Sequence, residues 1–384
     1  MKQTIRQIVF MVFGIMVSVV MNAQVTTSSI NGRVTDEKGE VLAGAAVIAV
    51  HTPSGTQYWA ITNTEGRYAI QGMRAGGPYN VEISLLGCQT VRYTDITLQL
   101  AESTTRDAVL KTATEQLDEV LIVATTSKFA TEKTGAVTNI SGKQMTNLPT
   151  VSRSITDITK LSPYGGNGMS FAGSDGRTAN FTVDGANFNN NFGLSSNLPG
   201  GGNPISIDAI EEVQVVISPF DVRQTNFIGG GVNAVTKSGT NTFKGSAYAY
   251  HRNENMRGNS VNGSEISGAR QTDRTTTYGA TLGGPIIKNK LFFFANFEYS
   301  LSPTVVNRWR PSTNGVEDAD NYISRTTVAD MEKVSNFLKE KYGYDPGSYT
   351  DYPADQNNMK ILARLDWNIN KNHKLALRYN YTNN

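Results

Sequence analysis

Cysteine and histidine are scarce in this sequence of 384 residues, and their scarcity excludes several kinds of site. Cys88 is the single cysteine, so no disulfide can form within the chain. His51, His251 and His373 lie far apart, and neither a His-Glu-x-x-His motif nor a cysteine pair accompanies them. We therefore expect no metal site and no cofactor, and stability must come from strand pairing and burial.

An excess of one charge is also missing. The chain has 35 Lys and Arg against 33 Asp and Glu, and without Lys2 and Arg6 of the N-terminal segment the balance is 33 to 33. A surface for nucleic acid would need clustered basic residues. No nucleic-acid partner is expected.

Catalytic signatures are missing as well. The sequence contains no Gly-x-Ser-x-Gly elbow for a nucleophile. The stretch 231–238 resembles a phosphate-binding loop, but Thr236 stands where that motif requires its second glycine. Asp184 precedes Gly185, and this dipeptide is favoured in hairpin turns, so Asp184 is interpreted as a turn residue rather than a catalytic acid. We expect no catalytic residue and no enzyme activity.

The longest apolar run of the chain lies near its N-terminus. Residues 8–20 are apolar, follow Lys2 and Arg6, and precede the small residue Ala23. A run of about 13 residues is too short for a membrane-spanning helix, which needs about 20. We interpret residues 1–23 as a secretory signal peptide that is cleaved after Ala23.

Glycine is abundant, with 36 residues, and only 39% of residues are hydrophobic, which favours short strands and many turns. Between residues 30 and 100, β-type runs alternate with turn residues, most clearly at 36–39 and 63–66. The nearly continuous apolar run 41–50 predicts a strand buried between two sheets. This region is predicted to be a β-sandwich.

Two stretches of this region resemble the carboxypeptidase regulatory-like domain. They are Ile30-Asn31-Gly32-Arg33-Val34-Thr35-Asp36 and Thr62-Asn63-Thr64-Glu65-Gly66-Arg67-Tyr68. The resemblance implies a β-sandwich accessory module over residues 24–104, without peptidase chemistry.

The middle of the chain predicts a small mixed α/β unit. Ser141 is expected to cap a short helix that Pro149 ends, and Ser152 to cap a second helix. The second helix would bury Ile155, Ile158 and Leu161. Strands are predicted around 181–183 and 210–217.

From residue 239 onward the predicted strands are long and amphipathic. Apolar and polar side chains alternate over about ten residues after the turn at 288–290 and on both sides of the turn at 370–372. This pattern is typical of membrane β-barrels, in which long loops such as those expected at 253–273 and 302–358 join the strands. We expect the apolar side chains to face lipid. On one strand the apolar residues Ile361, Ala363, Leu365, Trp367 and Ile369 alternate with Lys360, Arg364, Asp366 and Asn368.

Three stretches resemble TonB-dependent receptors, particularly the Oar-like group. One resembles the TonB box and consists of Leu117, Asp118, Glu119, Val120, Leu121, Ile122 and Val123. Another resembles the plug core, namely Thr182-Val183-Asp184-Gly185 with Ile210-Glu211-Glu212-Val213-Gln214-Val215. The most specific resembles the plug-to-barrel junction and covers residues 229–241 with Phe243-Lys244-Gly245.

This resemblance implies a mainly β chain with a signal peptide at 1–23, a sandwich at 24–104, a linker with the TonB box at 105–124, a plug at 125–238 and the N-terminal part of a transmembrane β-barrel at 239–384. It implies a receptor of the cell outer membrane that takes up a large nutrient through a plug-gated barrel. The expected partners are a TonB-type periplasmic energy-transducing protein, outer-membrane lipid and a surface lipoprotein. The box would join its partner by strand addition.

Some alternatives stay open. Barrels of this family have 22 strands and need about 220 residues for them, whereas about six candidate strands precede Asn384. We therefore expect an incomplete barrel, either a fragment of a longer protein or a truncated product. Residues 117–123 could instead be the first plug strand, and the chain could instead be a surface adhesion or matrix-binding protein that does not transport.

One loop is a candidate ligand contact. Its polar and aromatic residues could face the substrate from the plug, or could form a solvated loop. They are Asn187, Asn189, Asn190, Asn191 and Phe192.

Overall fold

A computed structural model of the chain describes residues 26–112, 120–123, 136–148, 150, 152–189, 198, 202–219, 221, 224–266, 273–303, 309–349 and 355–383. The signal peptide predicted at 1–23 lies outside the described residues. The described chain is mainly β, as predicted. It divides into two compact units, one formed by Met1–Gly245, Thr281–Ala295 and Leu362–Asn380, the other by Ser246–Ala280, Asn296–Ile361 and Tyr381–Asn384.

The N-terminal region is a sandwich of two sheets, as the turn pattern predicted. One sheet has the order β4-β1-β7, with β8 also paired to β1, and the other has the order β3-β2-β5-β6-β9. Side chains such as Ile30, Val47 and Tyr79 fill the space between the sheets and are fully buried. The strands are β1 (Ser28–Asp36), β2 (Ala46–His51), β3 (Thr56–Ile61), β4 (Arg67–Met73), β5 (Gly76–Ser84), β6 (Val91–Leu98), β7 (Ser103–Thr105), β8 (Ala108–Leu110) and β9 (Val120–Val123).

Turn chemistry explains the sequence motifs of the sandwich. The Asp36 carboxylate accepts bonds from the backbone N–H of Lys38 at 2.9 Å and of Glu40 at 2.8 Å, and the Asn63 side chain makes the equivalent bonds in the second turn. Gly32 is required for a different reason, because a Cβ at this position would lie 2.0 Å from the carbonyl oxygen of Arg106.

Two boundaries differ from the sequence prediction. The run 41–50 is not one buried strand, because the chain turns at Gly44, where φ is 80°, and β2 begins only at Ala46. The sandwich also continues beyond residue 104, since β8 pairs in parallel with β1 and buries Ala108 and Leu110. The polar residues 103–107 conceal this last strand in the sequence.

The second region, here called the central sheet, has the strand order β10-β13-β14-β11-β12. One face of it packs on two short helices and on Phe294 and Leu362 from later strands. The elements are β10 (Ala136–Ser141), α1 (Gly142–Asn147), α2 (Ile155–Thr159), β11 (Asn180–Val183), β12 (Ala186–Asn187), β13 (Ile210–Ser218) and β14 (Gly231–Thr236), with 3-10 turns at Gly176–Thr178 and Ile207–Ala209.

The helix caps were predicted with one error. Ser141 caps α1 in a capping box with Gln144, as expected. The second helix is capped by Ser154 rather than Ser152, and it buries Ile155 and Ile158. Leu161 follows the shortened helix and is 42% exposed.

The third region is a five-stranded sheet, here called the wall sheet, in which neighbours in the chain are neighbours in the sheet. Within the described residues this sheet is open, with β15 and β23 at its edges, which confirms the expected incomplete barrel. The strands are β15 (Lys244–Arg252), β18 (Thr275–Ile287), β19 (Leu291–Ser302), β22 (Gln356–Asn368) and β23 (Lys374–Asn383).

The two faces of the wall sheet alternate as predicted. On β22 the side chains of Leu365 and Trp367 are 41% and 42% exposed, whereas those of Arg364 and Asp366 are buried. An apolar outer face and a polar inner face are what a strand between lipid and an enclosed interior requires.

The connections within the wall sheet carry structure of their own. A hairpin of β16 (Ser260–Val261) and β17 (Ser264–Glu265) follows a 3-10 turn at Glu254–Met256, and β20 (Arg310–Ser312) pairs with β21 (Ile323–Thr327). Helix α3 (Val328–Tyr342) follows, with a capping box at Thr327. Among the described residues, no helix combines the length and apolarity needed to cross a membrane.

Candidate functional site

A row of polar side chains crosses the central sheet from edge to edge. Strand register places the members directly opposite one another, and Gln214 and Thr182 are each 1% exposed. The Thr182 hydroxyl donates to the Asn233 amide oxygen at 2.8 Å, so these two members bond to each other. This polar row consists of Asn139, Gln214, Asn233, Thr182 and Asn187.

The turn after β6 of the sandwich binds one end of the polar row. The backbone N–H of Leu100 donates to Glu212 Oε1 at 3.0 Å, and Gln214 Nε2 donates to the Leu100 carbonyl at 2.6 Å. Asn139 Nδ2 donates to Glu102 Oε1 at 2.7 Å. Leu100 itself is fully buried against Val235, so the turn 99–102 is held by both polar and apolar contacts.

Asp184 joins the central sheet to the wall sheet. It occupies the β11–β12 turn with φ at 50°, next to Gly185 with φ at 85°, which confirms the predicted hairpin. Its carboxylate accepts from Thr236 N at 3.0 Å, lies 3.2 Å from Arg378 Nε and 3.9 Å from an Arg364 nitrogen. The turn residue therefore also places a buried charge.

Arg364 is the centre of this group of charges. Its guanidinium makes two bonds to Asp366, at 2.9 and 3.0 Å, and donates to the Thr236 carbonyl at 2.6 Å. Arg74 of the sandwich lies 3.4 Å from Asp366 and donates to the Ser238 hydroxyl at 2.6 Å. We call Arg74, Asp184, Arg364, Asp366 and Arg378 the charge cluster.

The charge cluster connects three regions that are distant in sequence. Buried ion pairs lose hydration on burial, so their net contribution to stability is small while the loss of one partner is costly. The cluster therefore fixes how the sandwich, the central sheet and the wall strands meet within this unit. In the sequence, Arg364 and Asp366 are recognisable only as members of a polar strand face, and Asp184 only as a turn residue in the stretch that resembles the plug core.

The structure describes only some of the residues predicted for the TonB box and for the ligand-contact loop. Residues 117–119 lie outside the described chain, and Val120–Val123 form β9. Asn190, Asn191 and Phe192 also lie outside it. The Asn189 amide bonds to strand β11, since its oxygen accepts from Phe181 N at 2.6 Å and its nitrogen donates to Asn180 Oδ1 at 2.7 Å. Asn187 accepts from Asn189 N at 2.7 Å.

His51 lies in a buried polar pocket of the sandwich. Its Nδ1 is 2.7 Å from the Ser54 hydroxyl, which is 2.8 Å from the Thr56 hydroxyl. Burial, with a smaller contribution from the Arg74 charge, lowers the pKa of His51 to about 3.

This low pKa predicts acid sensitivity of the sandwich. The unfolded chain takes up the proton near pH 6.5 and the folded chain near pH 3, so stability is complete above pH 6.5 and falls by about 1.4 kcal/mol per pH unit below it. We expect the protection of backbone amides in β2 and β5, measured by hydrogen exchange, to decrease on acidification to pH 4.5. His51→Gln should remove this part of the pH dependence, whereas His373→Gln, at an exposed turn, should keep it; equal slopes in all three proteins would contradict the prediction.

Within the described residues, no group of three or more His, Cys, Asp or Glu side chains is arranged to hold a metal ion.

Comparison with family models identifies two parts of the chain. Residues 29–111 match the carboxypeptidase regulatory-like domain, and residues 235–313 match an outer membrane beta barrel domain. The chain therefore contains a carboxypeptidase regulatory-like domain and, after it, part of an outer membrane beta barrel domain, which indicates the cell outer membrane as its location.

Over most of its length the chain is also similar in sequence to a transporter. The chain is 28% identical over 380 residues to the TonB-dependent transporter Oar of Myxococcus xanthus, covering 93% of this chain and 33% of that protein. This homology confirms the resemblance to Oar-like TonB-dependent receptors. The chain spans about a third of the length of that relative.

Solved structures with partial similarity include siderophore receptors. The siderophore receptor PirA from Pseudomonas aeruginosa matches with 15% identity and a TM-score of 0.39, over 65% of this chain and 34% of its own. The ferric enterobactin receptor PfeA from the same species matches with 14% identity and a TM-score of 0.40, over 64% of this chain and 32% of its own.

Proposed function

We propose that the chain is part of a TonB-dependent outer-membrane receptor that takes up a large nutrient. The observation that carries this proposal is the order of the regions in the part of the chain that is similar to Oar. A sandwich is followed by a strand that resembles the TonB box, then by the central sheet, and then by strands with an apolar outer face. We assign the sandwich to 24–104 together with its strand β8 at Ala108–Leu110, and the remainder of 105–124 to the linker and box. The plug is assigned to 125–238 and the barrel portion to 239–384, after a signal peptide at 1–23.

In this proposal the central sheet is the plug and the charge cluster holds it to the wall. Asp184 is the plug's contribution to the cluster, and Arg364 keeps its two bonds to Asp366 on the same strand when Asp184 moves away. Most of the charge on Arg364 therefore stays compensated after separation, which lowers the cost of opening. The contact between Asp184 and the arginines would hold the plug in one position, and an applied force could break it reversibly.

Residues 117–123 are the proposed TonB box. The segment is extended where it is described, and a periplasmic TonB-type protein would pair with its backbone by strand addition. Energy delivered there would reach the plug through residues 124–135, which lead to β10.

A proline in the box tests the energy-coupling step. Proline cannot donate a backbone hydrogen bond, so Ile122→Pro should weaken binding of the TonB-type periplasmic domain and lower nutrient-dependent growth by about tenfold or more. Ile122→Val keeps both the backbone and the strand propensity and should behave like the unmodified protein. Cells are grown with one candidate nutrient at a time, and surface amounts of each variant are compared by protease accessibility.

Unchanged uptake in the proline variant, at equal surface amounts, would contradict an energised receptor. It would favour the alternative of a surface adhesion protein that does not transport.

The nutrient contact is proposed at the loop of Asn187, Asn189, Asn190, Asn191 and Phe192. The two bonds of Asn189 support this proposal, since they fix the described start of the loop to β11. Outer-membrane lipid would surround the exposed apolar face of the wall sheet, and a surface lipoprotein is the proposed partner for capture of a large nutrient.

A further inference from the structure

Strand β9 occupies the outer position of the second sandwich sheet, beside β6. Its residues pair with β6 in parallel, with Val120 opposite Val91 and Val123 opposite Thr94. The sandwich thus holds this segment by the same type of backbone pairing that a strand-adding partner would use.

The chain before β9 is also fixed to the start of β6. Gln89 N donates to the Lys111 carbonyl at 2.8 Å, and Cys88 forms an isolated bridge with Thr112. Residues 113–119, seven in number, can span at most about 25 Å when fully extended. A short tether keeps the local concentration of the segment high near the β6 edge, so re-pairing after release is favoured.

We propose that the outer edge of β6 is an intramolecular holding site for residues 120–123, from which the periplasmic partner must displace them. The proposal rests on the proposed function, because it takes residues 117–123 to be the TonB box. The occupant of the edge is a segment of this chain, and the partner competes for it.

The path of force supports this arrangement. While β9 is paired with β6, a pull on residues 120–123 acts on the sandwich instead of on residues 124–135 and the plug strand β10. The pairing covers four residues, so it is short enough to be reversible. Force applied to residues 120–123 therefore reaches the plug only after β9 has separated from β6. In this way the sandwich would control when transport begins.

A disulfide between the two strands tests the holding site. In the complete outer-membrane protein with Cys88→Ser, Thr94→Cys and Val123→Cys stand directly opposite each other and should form a disulfide on mild oxidation. Binding of the purified periplasmic domain of the TonB-type protein is then measured before and after reduction. We expect the oxidised form to bind at least about tenfold more weakly, because the competent fraction of the box is removed, and reduction to restore binding.

The matched control moves one cysteine by two residues. Thr94→Cys with Leu121→Cys keeps the same strand face but separates the Cα atoms by about 8 Å, beyond the usual range for a disulfide. Equal disulfide formation in both pairs, or none in the opposed pair, would overturn the pairing. Equal binding by the oxidised and reduced forms would overturn the holding site and leave the box assignment intact. Failure of the reduced form to bind would instead overturn the proposed box, and the holding site with it.

Discussion

Asp184→Asn is expected to destabilise the protein by about 3 kcal/mol, because it removes one charge from the buried charge cluster. The carboxylate is 5% exposed and faces both Arg364 and Arg378, which would lose their shared anion. Asparagine tolerates the left-handed backbone of this turn, so the substitution changes the charge while it retains the turn. The free energy of unfolding can be measured by urea titration in detergent micelles with tryptophan fluorescence.

Asp175→Asn is the matched control for this measurement. Asp175 is also paired with an arginine, Arg177, but both side chains are about half exposed, and such pairs contribute little to stability. The control should therefore have the same free energy of unfolding as the unmodified protein. Equal effects of the two substitutions would show that the cluster is not a buried electrostatic contact.

Gly239→Ala is expected to have an effect of similar size, about 3 kcal/mol, at the upper end of overpacking costs. A Cβ at this position would lie 2.4 Å from the Phe293 carbonyl oxygen and 2.6 Å from that of Gly284. Both obstacles are backbone atoms of paired strands, so neither can rotate away. The variant should be recovered in smaller folded amounts from outer membranes and should unfold at a lower temperature in detergent, as followed by heat-dependent gel mobility.

The control glycine for this variant is Gly258, where a Cβ would meet its nearest atom only at 3.9 Å. Gly258→Ala should leave both folded amount and melting temperature unchanged. A wild-type melting temperature for Gly239→Ala would contradict the tight junction seen between these strands.

Local features of the fold were predictable from the sequence. Alternation over residues 360–369 indicated which side chains of β22 face outward, and turn residues such as Asp36 and Asn63 carry the bonds that such turns require. These predictions hold because each depends on neighbours within a few residues. The wrong choice of Ser152 as helix cap is also a local error, since Ser154, two positions later, caps the N-terminus of the same helix.

Helix α3 was missed although its signals are present. Thr327 and Asp330 form a capping box and Gly343 ends the helix with φ at 64°. Residues 302–358 were interpreted as loop because none of the helix is buried and the surrounding sequence is polar. An exposed helix lacks the apolar face from which helices are usually recognised.

The charge cluster and the polar row could not be predicted, for a physical reason. Arg74 and Arg378 come together only through the packing of separate regions, and Asn139, Gln214 and Asn233 align only through strand register. No local pattern in the sequence records either arrangement. These contacts are therefore tertiary, whereas the strands and turns of this unit depend on residues that are close in sequence.

The turn 99–102 limits how freely the N-terminal module could be exchanged during evolution. Glu212 and Gln214 are buried beneath it, and both bond to the backbone of Leu100. A chain without the module would expose an apolar surface at Val235 and leave these two polar groups without their present partners. A replacement module would have to present an N–H and a carbonyl at the same place, so the sandwich and the central sheet are expected to be inherited together.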